Sequence, residues 1–267
     1  MVNIIKNINS SSTGNLTLSR RAKIIEIINK NGQVNINELV NLFHVSEVTI
    51  RNDLDHLEDK GLLIRTRGGG IKVERVGIDY KLNDKSKIHS KEKQLIGKKA
   101  AELVQDSDTI IIDSGTTTFE VAKNLSSLNN LTIITNALNI ASQFIGNENI
   151  KVIILGGILR HSSISLIGPI AENTIKNLYC DKLFMGVDGI DSKYGISTPN
   201  IEEAHLNRLM IDISKEVIVV TDSSKFLRRS FSFIAPISDI DTVITDSNIP
   251  KEELKNFQNA GVKTIIV

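Results

Sequence analysis

The chain has 267 residues, 40% hydrophobic but only 4% aromatic, and its 32 Lys/Arg against 31 Asp/Glu leave a net charge of +1. That length exceeds the usual single domain, so one small and one large domain are expected, with an Ile-, Leu- and Val-rich interior of the kind that buried parallel strands use. No apolar run approaches the roughly 20 residues of a membrane span, the polar start lacks a signal-peptide core, and Cys180 is the only cysteine, so a membrane span and an internal disulfide are excluded and the expected location is the cytoplasm.

Charge is unevenly spread. Met1 to Arg75 holds 11 Lys/Arg against 8 Asp/Glu, leaving 21 against 23 for the remainder. Residues 1–18 are polar and aperiodic and read as a tail. Helical spacing begins at Ile24, Ile25, Ile27 and Ile28 and stops at Asn31-Gly32, where a left-handed residue can close a helix. A short extended piece (33–35) leads to a second helix carrying Leu39, Leu42 and Phe43. The turn is His44-Val45, and Ser46 is placed to cap a third helix.

At 3.6 residues per turn, Ile50, Leu54 and Leu57 share one face of that helix and must point into a small core. Val48, Asn52 and Asp55 then point away, flanked by Thr49, Arg51 and Glu47. The outward groups are those that read major-groove edges and hold phosphates. Asn52 suits adenine, Val48 a thymine methyl, and Arg51 a phosphate or guanine; Glu47 either accepts from cytosine or favours the helix dipole. Gly61 ends the helix. Leu62, Leu63 and Ile64 begin a strand that turns through Gly68-Gly69-Gly70 into Ile71 and Val73. The glycines would let the backbone approach DNA, with Arg65 and Arg67 supplying charge to the minor groove or its phosphates.

With Val45-Ser46, Thr49-Ile50-Arg51, Asp53-Leu54, Leu57-Glu58, Gly61, Arg65 and Gly68-Gly69, residues 20–70 closely resemble the N-terminal domain of DeoR-type bacterial transcriptional regulators. That family usually shows two arginines before the Asp-Leu pair, whereas the second is Asn52 here.

Residues 76–92 read as a charged linker running into an amphipathic helix with Leu95, Ile96, Ala100 and Leu103. Apolar strands then recur at 109–112, 131–135, 151–155, 182–187, 217–221, 242–245 and 263–267, most of them separated by helical segments. Such alternation predicts a mainly parallel, Rossmann-like α/β sheet covered on both faces. Ligands of these sheets bind beyond the carboxyl ends of the strands. There the first strand runs into Asp113-Ser114-Gly115-Thr116-Thr117-Thr118, whose small residues, hydroxyls and following helix form a candidate phosphate cradle. It lacks the Gly-Lys-Ser/Thr ending of a nucleotide loop. Thr135-Asn136, Gly156-Gly157 with Arg160, Asp188-Gly189-Ile190-Asp191 and Asp222-Ser223-Ser224-Lys225 follow later strands. Arg160 and Lys225 are candidate anion partners, and Asp188, Asp191 and Glu203 candidate acceptors for sugar hydroxyls.

The resemblance to DeoR-type regulators extends over these segments to about Asp246, where the family's effector domain is similar to ribose-5-phosphate isomerase. It implies a winged helix-turn-helix domain at 19–75, an effector domain at 93–267, and a repressor of carbohydrate use that binds double-stranded operator DNA and is released by a phosphorylated sugar. The alternative is an isomerase-type enzyme fused to a DNA reader, since the carboxylates and lysine beside the cradle suit proton transfer between sugar carbons. The five histidines never approach one another or Cys180 at zinc spacing, so neither metal nor cofactor is expected. Paired DNA half-sites call for a homo-dimer or homo-tetramer.

Overall fold

A computed structural model describes residues 17–28, 31–60, 62–66, 68–72 and 79–267. The chain divides into two compact units, residues 1–74 and 75–267.

In the first unit, helix α1 (residues 17–28) is followed by strand β1 (Gln33–Asn35), α2 (Ile36–Phe43), α3 (Glu47–Asp59) and the pair β2 (Leu63–Thr66) and β3 (Gly69–Lys72). The three strands form an antiparallel sheet in the order β1-β3-β2. Ile24 and Ile28 of α1, Leu39 of α2, Ile50, Leu54 and Leu57 of α3 and Leu63 of β2 share one buried cluster. A helix-turn-helix with a wing is the result, as the apolar spacing predicts.

The second unit begins, in its described part, with α4 (Leu82–Lys85) and α5 (Ser90–Ala101), then β4 (Thr109–Ile112), α6 (Thr116–Ala122), β5 (Leu131–Thr135), α7 (Leu138–Ala141) and β6 (Ile150–Ile154). The hairpin β7 (Ile158–Arg160) and β8 (Ser165–Ile167), helix α8 (Pro169–Ile175) and strand β9 (Cys180–Met185) follow. Then come β10 (Gly189–Asp191), β11 (Gly195–Thr198), α9 (Ile201–Asp212), β12 (Ser214–Val220), β13 (Ser232–Ala235), β14 (Thr242–Thr245), α10 (Lys251–Asn259) and β15 (Lys263–Ile266).

Seven strands form one sheet in the order β15-β14-β12-β9-β4-β5-β6, every neighbouring pair parallel. Period-two geometry explains its double core. Ile110 and Ile112 of β4 face α5, α6 and α7 through Ile96, Ala100, Val121 and Ile140, while Ile111 faces α8, α9 and α10 through Ile175, Leu206, Met210 and Phe257. From β4 the chain builds outward through β5 and β6, then returns to the other side of β4 with β9 and builds outward again. The gap between β4 and β9 is therefore the topological switch point, where open α/β sheets place their ligand crevice.

Residues 79–89, expected within a linker, instead pack as part of this unit. The α4 segment is anchored by the Leu82 N–H donating to the Ser162 carbonyl at 2.7 Å and by Arg160 donating to Asp79 at 2.5 Å. The small sheet β10-β11-β13 and the β7-β8 hairpin are also additions to the predicted seven strands.

Candidate functional site

In the first unit, Ser46 Oγ accepts the Thr49 N–H at 3.2 Å and so caps α3. His44, at φ 52°, makes the left-handed turn between α2 and α3. Ile50, Asp53, Leu54 and Leu57 are buried, which turns Glu47, Val48, Arg51 and Asn52 outward as one exposed face. Val48 is 65% exposed on this face. Arg51 pairs with Glu47 at 2.5 Å along the same face, a surface pair that DNA can displace at little cost. Thr49 is half-buried, its hydroxyl sharing a hydrogen bond with Ser46 at 2.8 Å.

In the wing, two of the expected DNA-contact residues also have partners inside the unit. Arg65 is only 16% exposed; its guanidinium donates to Asp55 at 2.7 Å and to the Gly69 carbonyl at 2.6 Å, and its N–H donates to Glu58 at 2.7 Å. It ties the wing to α3. Gly69 is buried, and a Cβ there would lie 1.8 Å from the Val34 carbonyl oxygen, so the close approach that demands glycine is to β1. Gly68 is exposed at the tip, and Arg67 lies outside the described residues. Asp53 carries a role that spacing does not reveal. It is 1% exposed and accepts from Arg20 at 2.5 Å and Arg21 at 2.7 Å, joining α1 to α3.

In the second unit, one cavity of about 620 Å³, open mouth included, sits at the switch point. Asp113 to Thr117 follow β4, Gly186 to Asp188 follow β9, and Thr221, Asp222 and Lys225 follow β12. Arg160 and Ser163 come from the β7-β8 hairpin, Glu203 and Asn207 from α9, Tyr80, Leu82 and Lys85 from the α4 segment, and Lys93 from α5.

Its charges are arranged in pairs. Lys85 Nζ lies 2.8 Å and Lys225 Nζ 3.5 Å from Asp188 Oδ1. Burial alone would raise the Asp188 pKa, but the two ammonium groups overcome it and hold the carboxyl below its ordinary value. Arg160 donates to Ser163 at 2.6 Å and to Asp79, and stands 3.7 Å from Glu203. Glu203 accepts from Thr198 at 2.7 Å and Ser114 at 3.3 Å. Lys93 is 5% exposed and donates to the carbonyls of Lys85 at 2.6 Å and Ile88 at 2.8 Å. Burial lowers its pKa to about 8, the nearby Asp222 opposing. Asp113 is pushed well above the usual carboxylate range, first by burial and then by the Glu203 charge.

Several anticipated ligand residues lie off the cavity lining. Asp191 Oδ1 accepts the N–H groups of Lys193 and Tyr194 and closes the β10-β11 turn. Thr135 donates to the Ile112 carbonyl and accepts the Ala137 N–H, fixing the end of β5. A Cβ on Gly157 would sit 2.5 Å from the Ile167 carbonyl oxygen, and one on Gly189 2.5 Å from that of Arg228, so chain packing accounts for both. Gly156 precedes the same hairpin, and Thr118 and Asn136 are buried away from the lining. Conversely Lys85, Lys93, Asn207 and Asp222 line it without having been singled out as ligands. Only the fold joins Lys85 to Asp188, 103 positions along.

Comparison with known proteins follows the same division. The family model described as "DeoR-like helix-turn-helix domain" matches residues 20–76, and that described as "DeoR C terminal sensor domain" matches residues 88–247. A candidate aga operon transcriptional repressor of Escherichia coli O157:H7 is 40% identical over 94% of this chain and 94% of its own. The HTH-type transcriptional regulator GolR of Listeria innocua is 35% identical over 91% of this chain and 96% of its own. The glycerol-3-phosphate regulon repressor of Escherichia coli strain K12 is 34% identical over 86% and 91%. Among solved structures, a ribose 5-phosphate isomerase of Methanocaldococcus jannaschii aligns with 52% of this chain and 55% of its own at 16% identity and a TM-score of 0.39, a likeness too loose to assign a site. On its two matched domains and its full-length relatives, the chain belongs to the DeoR family of helix-turn-helix transcriptional regulators.

Proposed function

We propose that the protein represses a carbohydrate-utilisation operon by binding double-stranded operator DNA, and that a phosphorylated sugar in the sensor cavity releases it. One observation carries the ligand class: at the switch point, Lys85, Lys93, Arg160 and Lys225 converge with the Asp113–Thr117 loop on a single cavity. Cations and backbone N–H groups suit a phosphate, and the interleaved carboxylates and amide suit hydroxyls. Relatives named for the aga operon and for the glycerol-3-phosphate regulon agree with that class.

The reading includes no catalytic turnover and no cofactor. The fused helix-turn-helix unit and the relatives named as transcriptional regulators favour sensing over turnover. It also includes self-association, needed to span paired half-sites. The exposed Ile154, Ile158 and Ile170 around the β6 edge provide apolar surface for a second copy. Sedimentation at working concentration checks this part, and a monomer counts against it.

A thermal-shift panel of hexose, pentose and polyol phosphates tests the ligand class. A ligand at 100 times its Kd stabilises by about 2.7 kcal/mol. At least one sugar phosphate is expected to do so without being isomerised; no shift across the panel, or turnover above background, contradicts the reading.

A further inference from the structure

Asn207 is 2% exposed on α9, one helical turn after Glu203 and on the same buried face. Its other buried neighbours on the helix are the apolar Ala204, Leu206, Met210 and Ile211. Yet it lines the sensor cavity, and its Oδ1 has no hydrogen-bond partner among the described residues. Asp113, 1% exposed, lines the same cavity with an unpartnered Oδ1 of its own. An unsatisfied buried acceptor is destabilising, so these two on the cavity lining suit a ligand that donates.

We infer that Asn207, which shares the cavity lining with Asp113, recognises an uncharged hydroxyl of the ligand, and that the cavity therefore selects a singly phosphorylated polyhydroxy compound over a bisphosphate. This rests on the sugar-phosphate reading given above. The charge balance supports it. Along the lining Lys85, Lys93, Arg160 and Lys225 stand against Asp113, Asp188, Glu203 and Asp222, and Arg160 also holds Asp79. With no excess of cations over carboxylates, the lining suits one phosphate rather than two. A second would have to enter against the carboxylates, where a hydroxyl can donate to Asn207 or to Asp113 Oδ1.

The test is calorimetric titration of the full-length protein with inorganic phosphate, glucose 6-phosphate, fructose 6-phosphate, ribose 5-phosphate, glycerol 3-phosphate and fructose 1,6-bisphosphate. Asn207→Leu keeps the volume and removes the amide; Asn207→Ala provides the same comparison should the leucine variant fail to fold. The expected result is that the tightest monophosphate weakens about tenfold or more in the variant while inorganic phosphate changes by less than about twofold, the loss of a hydroxyl contact alone. Unchanged monophosphate affinity, or an equal loss for inorganic phosphate, overturns the inference. Preference for the bisphosphate overturns it while leaving the sugar-phosphate reading intact. If no sugar phosphate binds the wild-type protein, both fall.

Discussion

Lys85 Nζ stands 2.8 Å from Asp188 Oδ1, so a lysine of the α4 segment is bound to the loop that follows a central strand of the sensor sheet. Lys225 approaches the same carboxylate at 3.5 Å. Removing that carboxylate leaves two part-buried ammonium groups facing each other. Asp188→Asn is expected to destabilise the sensor unit by about 1–3 kcal/mol near neutral pH. Because the folded pKa lies below the unfolded value, the stabilisation is present above about pH 4 and is lost as pH falls through the folded pKa. Denaturant titrations at neutral and acid pH check both parts: the wild-type advantage should vanish in acid, and a difference that persists there contradicts the pairing.

Lys93 gives the opposite experiment at alkaline pH. Its folded pKa of about 8 lies below the ordinary lysine value of 10.5, so between those values the unfolded chain holds the proton more tightly. Stability from this group must rise with pH across that window, by at most about 3 kcal/mol. Lys93→Met should abolish the rise. A variant whose stability follows the wild-type pH profile places the lysine elsewhere.

How much of this was legible in the sequence differs between elements. All seven strands of the main sheet are apolar runs legible in the sequence, and helix α3 declares itself through Ser46 and the spacing of Ile50, Leu54 and Leu57. The short pieces were not legible. Strands of three residues such as β7, β8 and β10 have too few positions to show alternation, and the charges of the α4 segment look like a solvated linker until Asp188, Arg160 and Ser162 are placed opposite them. Asp191 and Glu203 show the limit for single residues: both are acidic and near strand ends, yet one closes a turn and the other lines the cavity.

In the DNA-reading unit two charged residues should separate folding from recognition. Asp53→Ala strips the buried partner from Arg20 and Arg21 and should cost about 3–5 kcal/mol, enough to threaten a unit this small. Arg51→Ala removes only an exposed pair with Glu47, worth about 0–1 kcal/mol, yet it should weaken operator binding. Melting curves beside DNA titrations at fixed salt distinguish them. A destabilised Arg51→Ala, or one with wild-type DNA affinity, contradicts the assignment of the outward face of α3.

Thr116 sits in the cavity wall at the first turn of α6, where a carboxylate would repel an anion. Thr116→Glu should therefore abolish the thermal shift given by any sugar phosphate while leaving operator affinity unchanged. Retention of that shift would remove this loop from the ligand site.

The most direct test of the account is fluorescence anisotropy of the full-length protein on labelled DNA from the promoter region it controls, titrated with sugar monophosphates in parallel for the wild type and Thr116→Glu. A ligand that binds the released form 100-fold more tightly shifts the balance by about 2.7 kcal/mol. The account predicts that at least one monophosphate frees wild-type protein from the DNA while the variant stays bound. Release of neither protein by any member of the panel, or of both equally, would contradict it.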